Sequence, residues 1–538
     1  GARTASSDAT PSIAHCSEIS WRPPVSAAYN RGSPPPETTV EIAARAVLIL
    51  DTLIVTYLLV FFGLNFWFLL VSSRRVRRLL LRDQVRPPIR DRESPFLPPL
   101  TLLVPAYNEE VTCEDSVRSL LRLDYPAYEV IICNDGSKDR TVEVLKAAFG
   151  FVRTDVNYHP VLATAPVRGL YEATCPLPPN VMRLVLIDKA NGGKADALNA
   201  AINAAEGVYV SSMDADSVLE PDALLRAMQT VADDPSRVVG IGTQVGLSNG
   251  SIIEKGEVKD LRLPRTWIAR FQVAEYMRSF TQGRTALGTI NSLLILSGVF
   301  ALLRRALVVA SGGFLTKHVR GRLIEEYCGA GAHTVCEDME VVVRLHRYLL
   351  DRGREGHVMF LPHPAAWTEA PEVYRDLGQQ RGRWYRGLLE VLWYHRAMMF
   401  RRRYGRIGMF SLPYQLCFEA AAPVLETAGY IMVPLTVALG MLSIGHAIAF
   451  LCLAAALNVL LTTLSVMLSV RGAGRGHGLF AYRRMRDIVA LVFAGFVSNF
   501  GYRQYLVWWQ LKGLRDFLKG RKDWDKFARK GFANTAAR

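Results

Sequence analysis

The sequence carries little charge for its length, and it lacks several features that would place it in a familiar class. Of 538 residues 21% are Asp, Glu, Lys or Arg, and they fall in blocks between long uncharged runs. Half the residues are apolar and the mean hydropathy is +0.14. That composition excludes disorder as a description of the whole chain and argues against a simple soluble monomer. Cysteine is sparse: eight residues at irregular spacing, without a CxxC pair or a zinc-type spacing. Neither a disulfide framework nor structural zinc is expected, and the thiols are expected to be buried. No GxGxxG follows the first strand-like segment, which removes the dinucleotide-binding fingerprint. The first apolar run starts only at Ala46 and no basic leader flanks it, so a secretory signal peptide is not expected.

What is present in excess is positive charge, 64 Lys and Arg against 49 Asp and Glu, a formal +15. Such an excess suits a nucleic-acid binder or a membrane protein with basic cytoplasmic loops, and position decides between them. Residues 46–71 contain one charged residue, Asp51, and exceed the roughly 20 apolar residues that cross a bilayer. Between Arg74 and Arg92 follow eight arginines and two aspartates. The positive-inside bias therefore puts the N-terminus outside and the next long segment in the cytoplasm, and no nucleic-acid partner is expected.

Further uncharged runs at residues 427–445 and 447–470 read as a membrane hairpin. From Ile488 to Trp509 the pattern is broken by Arg503; a bent or re-entrant hairpin turning at Gly501-Tyr502-Arg503 and a fourth full span are the two readings, and charge favours the hairpin. Glu419 and Glu426 stand one heptad apart on an amphipathic stretch with Pro413 and Pro423. They read either as part of an interfacial helix or as carboxylates facing a polar path. The resulting division is an extracytoplasmic disordered arm (1–40), a first span (41–73), a basic juxtamembrane linker (74–98), a cytoplasmic domain (99–400), an interfacial helix with two spans and a final hairpin or span (401–512), and a basic tail (513–538).

From Leu100 to about Pro235 strand-like and helix-like stretches alternate, predicting a parallel-rich sheet with helices on both faces and a ligand site beyond the carboxyl ends of its strands. Polar clusters occur at those ends: Tyr107-Asn108-Glu109, Asn134 to Ser137, Asn191 to Lys194, and Asp214-Ala215-Asp216. In extended chain residues two apart face the same side, so Asp214 and Asp216 offer two hard oxygen ligands suited to Mg2+ or Mn2+ on a diphosphate. Lys194 opens a helix after two glycines, where a phosphate is favoured. Each motif alone is weak, since DGS is ordinarily a turn, but their succession at strand ends is harder to assign to turns. Glu337 and Asp338 open an amphipathic helix, where first-turn acids are favourable in any case. The segment from Tyr374 to Phe400, rich in Arg and Trp, reads as an interfacial helix with snorkelling arginines that contacts membrane lipid.

Taken together VPAYNEE (Val104 to Glu110), NDGS (Asn134 to Ser137), NGGKADALN (Asn191 to Asn199), DAD (Asp214 to Asp216), CED (Cys336 to Asp338) and QRGRW (Gln380 to Trp384) resemble the membrane-embedded processive branch of the family 2 inverting glycosyltransferases, which includes cellulose, hyaluronan and poly-N-acetylglucosamine synthases. The resemblance implies an α/β nucleotide-diphospho-sugar transferase domain of GT-A type with an α-helical transmembrane bundle, at the inner (plasma) membrane. It implies that Tyr107 and Glu109 line the nucleotide pocket, that Asp135 and Asp214 hold the uridine, and that Lys194 lies near the base or phosphates. Asp214 and Asp216 would hold the Mg2+ or Mn2+, Arg383 would contact the diphosphate, and Asp338 would be the general base. Glu337, Gln380 and Trp384 would face the acceptor. The departure is Cys336, where the family usually carries Thr.

The activity so implied is polymerisation of a β-linked polysaccharide from UDP-glucose or UDP-N-acetylglucosamine, with the growing chain as acceptor, secretion through the protein's own channel and extracytoplasmic export partners. The tail beyond Lys512 is expected to hold no cyclic-dinucleotide domain. The alternatives are single addition to a lipid acceptor and, against the intact acidic set, an inactive membrane scaffold.

Overall fold

A computed structural model describes residues 39–85, 97–214, 217–254, 257–319, 321–471, 482 and 484–521. The arm at 1–38, residues 86–96 of the expected linker, Asp216, and the tail from 522 lie outside the described residues. By internal packing the chain divides into residues 1–50 and residues 51–538, and everything that follows on packing concerns the second unit.

Among the described residues twelve strands form: β1 (Leu100–Ala106), β2 (Tyr128–Asn134), β3 (Phe151–Arg153), β4 (Val167–Ala173), β5 (Val181–Lys189), β6 (Tyr209–Met213), β7 (Val218–Leu219), β8 (Val238–Leu247), β9 (Ile252–Glu254), β10 (Glu257–Asp260), β11 (Phe300–Arg304) and β12 (His357–Thr368). All but β9 and β10, which pair separately, lie in one sheet of order β3-β4-β5-β2-β1-β6-β11-β8-β12-β7. Its β5, β2, β1 and β6 run parallel, and antiparallel neighbours extend both sides. Of the parallel strands, β2 and β6 are buried throughout and β1 and β5 over most of their length, because helices cover both faces. Alternation sorts them: Val130 and Ile132 pack into one core, Ile131 and Cys133 into the other.

Register brings the carboxyl ends of the central strands level. Ala106 pairs with Asn134, Asn134 with Asp188, and Leu103 with Ser212. The next residues of all four chains therefore emerge along one edge. Helix Lys194–Ala204, buried from Asp196 to Ala204 and rich in alanine, lies close over the sheet since small side chains permit a near approach.

Among the described residues three helical runs are long and apolar enough to cross a membrane, Val47–Arg82, Ile407–Ala438 and Ile444–Val470. The first belongs to a helix that runs from Thr39 to Val85 without stopping at its arginine block. Val76 and Leu79 are buried, Val76 packing with Leu468 of the third run, and Arg82 pairs with Asp233; tertiary contact thus continues the helix past the apolar stretch. The second run contains wider π-type turns at Ile407–Ser411 and Gln415–Ala420, next to Pro413 and Pro423, whose missing N–H groups break the regular ladder. Helices Met485–Val497 and Tyr502–Leu518 follow, joined through Ser498 to Gly501.

Several polar side chains of these helices pair with one another. Gln282 Nε2 donates to the carbonyl of Asn65 at 2.8 Å while its Oε1 accepts from Ser465 Oγ at 2.7 Å. Arg278 donates to Asn458 Oδ1 at 3.1 Å, and Arg503 Nε donates to Glu426 Oε2 at 2.9 Å.

Candidate active site

The strand-end edge is organised around charges that local sequence does not reveal as partners. Asp135 follows β2 and is buried. Its Oδ1 accepts from Lys189 Nζ at 2.6 Å and from the Gly192 N–H at 2.9 Å, while Oδ2 accepts from the Gly193 N–H at 2.7 Å. Lys189, the last residue of β5, has no exposed surface and reaches Asp196 as well, at 2.7 Å. Burial works against its charge, but the two carboxylates outweigh burial and raise its pKa. This triad ties the ends of β2 and β5 to the helix at Lys194.

Beside it Glu109, after β1, accepts from Thr112 Oγ1 at 2.8 Å, and its backbone N–H donates to Thr141 Oγ1 at 2.8 Å. Tyr107 lies half-buried in the same turn.

A second group of charges lies at the end of β6. Lys194 Nζ is 2.6 Å from Asp214 Oδ1 and 3.2 Å from Glu337 Oε1. Burial opposes its charge, yet Asp214 and Glu337 hold the pKa above the ordinary lysine value. Glu337 and Asp338 open helix Glu337–Leu350. Asp338 is pushed up to about 6, first by burial and then by the Glu337 charge, against the pull of Lys194 and Arg284. A carboxyl so tuned is ionised near neutrality and basic enough to take a proton. A Cβ at Gly298 would stand 3.1 Å from Lys194 Nζ and 3.7 Å from Asp338 Oδ2; glycine there keeps open the space between cation and carboxylate.

The QRGRW residues sit on helix Tyr374–Tyr394. Trp384 is partly exposed, and the Arg381 guanidinium lies 4.6 Å from its ring centroid while bonding Glu275 at 2.9 Å. The indole is thus held from one side by a fixed cation. Arg383 lies close enough to Cys336 for its charge to act on that thiol. Gln380 Oε1 is buried without a hydrogen-bond partner among the described residues, the condition of a polar atom that awaits a ligand or water.

Of the residues singled out from sequence, the structure gathers Asp214, Lys194, Glu337 and Asp338 by direct contact or charge. It places Tyr107, Glu109 and Asp135 along the same sheet edge, and Gln380, Arg383 and Trp384 on one helix; Asp216 lies outside the described residues. The carboxylates around Lys194 are hard oxygen donors already facing a cation, so their chemistry fits Mg2+ or Mn2+.

Sequence reasoning missed Lys189, Asp196, Arg284 and Gly298. A lysine closing an apolar strand was the one local signal, and it is ambiguous, because such a side chain either reaches solvent or must find a buried partner.

Cys113, Cys133 and Cys336 are buried, whereas Cys417 and Cys452 are exposed on membrane-type helices. Burial pushes the Cys336 thiol well up, so it stays protonated. Cys328, Glu340 and His395 bring potential ligand atoms within 4.8 Å of one another. Arg344 already binds both oxygens of Glu340, at 2.8 Å each, and holds it down to about 2 despite burial; Glu340 is thus committed to an ion pair in the core.

Two family models match the chain: "Glycosyltransferase like family 2" over residues 163–387 and "Glycosyl transferase family 2" over residues 101–175. Among curated proteins, the poly-beta-1,6-N-acetyl-D-glucosamine synthase of Staphylococcus aureus is 27% identical over 296 residues, covering 54% of this chain and 55% of that protein. The enzyme of the same name from Staphylococcus epidermidis is 26% identical over 298 residues, 54% of this chain and 55% of that protein. The chain therefore spans about half the length of the curated relatives it matches. Among solved structures, a mannosyltransferase of Pyrobaculum calidifontis in complex with GDP-Man and Mn2+ has 17% identity and a TM-score of 0.43, covering 87% of this chain and 100% of its own. S. aureus TarS 1-349 in complex with UDP-GlcNAc has 13% identity and a TM-score of 0.35, covering 78% of this chain and 92% of its own.

Proposed function

We propose, from the premise that this chain belongs to the family 2 glycosyltransferases, that it polymerises a β-linked polysaccharide from UDP-N-acetylglucosamine at the inner face of a membrane and passes the product through its own helical bundle. The observation that carries this reading is the meeting of Asp338 with Lys194, Asp214 and Glu337 at the carboxyl edge of the sheet. The choice of donor is supported by the poly-N-acetylglucosamine synthases among the relatives.

The chemistry assigns a task to each charge. Displacement at the anomeric carbon builds oxocarbenium character and sends negative charge onto the departing diphosphate. Lys194 and Arg383 would stabilise that charge, which is where fixed cations in a dry site are most effective. Asp214 and Asp216 would hold a divalent cation, which supplies further Lewis-acid stabilisation of the leaving group when bound. Asp135, fixed by Lys189 and two backbone N–H groups, would order the loop against which the nucleotide lies, together with Tyr107 and Glu109. Asp338 would accept the proton of the attacking hydroxyl as the new bond forms, a contribution of about 10²- to 10⁴-fold. A single displacement inverts the anomeric centre, so an α-linked donor yields a β-linkage. Trp384, steadied by Arg381, and Gln380 would face the acceptor sugar.

The test is direct. The purified protein in lipid nanodiscs is incubated with radiolabelled UDP-N-acetylglucosamine or UDP-glucose plus Mg2+ or Mn2+, and the product is sized and digested with linkage-specific glycosidases. A long polymer from UDP-N-acetylglucosamine is expected. A lipid bearing one sugar would sink polymerisation, and incorporation from UDP-glucose alone would sink the donor assignment.

A further inference from the structure

We infer that Glu390 is a positioning residue for the transfer step: it locks the helix that carries Arg383 and Trp384 to the loop that presents Asp338. This rests on the reading of Asp338 as the base.

Along helix Tyr374–Tyr394, residues 384, 387, 390 and 394 recur at steps of three or four and so share one face. That face meets the segment from His333 to Cys336 contact by contact. Cys336 Sγ lies 3.7 Å from the Trp384 carbonyl. A Cβ at Gly387 would come within 2.2 Å of that sulfur, so only glycine lets the helix approach so closely. Glu390 Oε2 accepts from Thr334 Oγ1 at 2.8 Å and from the Val335 N–H at 3.3 Å. Tyr394 donates its hydroxyl proton to the His333 carbonyl at 2.8 Å. Thr334 Oγ1 in turn accepts from the Cys336 N–H at 3.2 Å, and Cys336 caps the helix whose second residue is Asp338. A continuous run of hydrogen bonds thus leads from Glu390 through Thr334 to the residue two before Asp338.

Glu390 is the only carboxylate in this seam among the described contacts, and its bonds to Thr334 and Val335 are charge-assisted, hence stronger than neutral ones. Its Oε1 faces Arg386 Nε at 3.6 Å, which keeps Oε2 turned to the loop. On the opposite side Gly378 and Gly382 of the same helix abut Trp509. The helix is therefore fixed between helix Tyr502–Leu518 and the Asp338 loop, and Glu390 sets the separation of Trp384 from Asp338.

A catalytic group displaced by about 1 Å costs on the order of 10²-fold in rate. The test compares Glu390→Leu, Glu390→Gln, Thr334→Val and Asp338→Asn in nanodiscs, with UDP-N-acetylglucosamine turnover, donor KM and UDP binding by calorimetry as readouts. Glu390→Leu is expected to lower kcat about tenfold with donor KM and UDP affinity within twofold of the parent. Glu390→Gln keeps an oxygen that accepts from Thr334 and Val335, and is expected to recover most of the rate. Should Glu390→Leu fail to fold, Thr334→Val cuts the same run, and about a threefold fall in kcat at unchanged KM is expected. Parental kcat in Glu390→Leu or Thr334→Val beside an inactive Asp338→Asn overturns the inference, as does a Glu390→Gln protein no better than Glu390→Leu. Parental kcat in Asp338→Asn overturns the reading of the base instead.

Discussion

The two halves of the site handle buried charge in opposite ways. On the donor side, Asp135, Lys189 and Asp196 form a closed set with short contacts and backbone N–H support. On the transfer side, Glu337 and Asp338 are adjacent acids with Lys194 and Arg284 as opposing cations, and Asp338 is left raised to about 6. Burial raises the Asp135 carboxyl too, against the pull of Lys189 and the Gly192 and Gly193 N–H groups; in the proposed reading this first arrangement binds, and its charges stay as they are during turnover. In the same reading the second titrates, and a group can titrate near neutrality only if its ionised form is incompletely stabilised. Rigidity and reactivity are therefore separated within one sheet edge, and they respond differently to the same kind of mutation.

The largest separation is expected from Asp338→Asn. Turnover should fall by about 10²- to 10⁴-fold while UDP binding, followed by calorimetry, is retained; equal loss of both would merge the two halves. Lys189→Met should do the reverse. It strands two buried carboxylates, a loss of about 3–5 kcal/mol for a broken buried pair, visible as a lowered unfolding temperature and weakened UDP binding.

A finer test uses pH. Because Asp338 is raised, activity should climb as pH rises through about 6, and Glu337→Gln, which removes the neighbouring charge, should move that limb to lower pH. The sign for stability is opposite: between its ordinary value of 3.8 and about 6 the folded protein holds a proton that the unfolded chain has already lost, so this carboxyl subtracts stability as pH rises through that window. A limb unmoved in Glu337→Gln would assign the titration elsewhere. The smallest effect is expected at Glu114, whose pair with Arg118 is largely exposed; Glu114→Gln should alter turnover not at all and stability by less than about 0.5 kcal/mol.

Much of the donor half was legible without coordinates. Apolar runs such as LTLLVPA and YEVIICN end in polar clusters, and that pattern alone predicts a parallel sheet with its ligand edge at Tyr107, Asp135 and Asp214. Asp214 and Lys194 were both singled out from sequence, yet their pairing was not, since one closes a strand and the other opens a helix 20 positions earlier. Lys189 was passed over because a lysine at a strand end ordinarily reaches solvent; only the fold buries it. The transfer half was legible as motifs, CED and QRGRW, but not as a unit, because residues 333–338 and 380–394 come together through a helix face whose partner is not encoded locally.

By itself the sequence determined what depends on near neighbours: strand and helix periodicity, the apolar lengths that suit a bilayer, and the residue types that chemistry requires. Those properties arise from interactions within a few residues, so composition and spacing carry them. The tertiary structure alone decided which charges neutralise one another and that Asp338 is raised to about 6. It also decided how helix Tyr374–Tyr394 is held against the loop before Asp338. Electrostatic free energy depends on distance and burial in three dimensions, and neither is a function of separation along the chain.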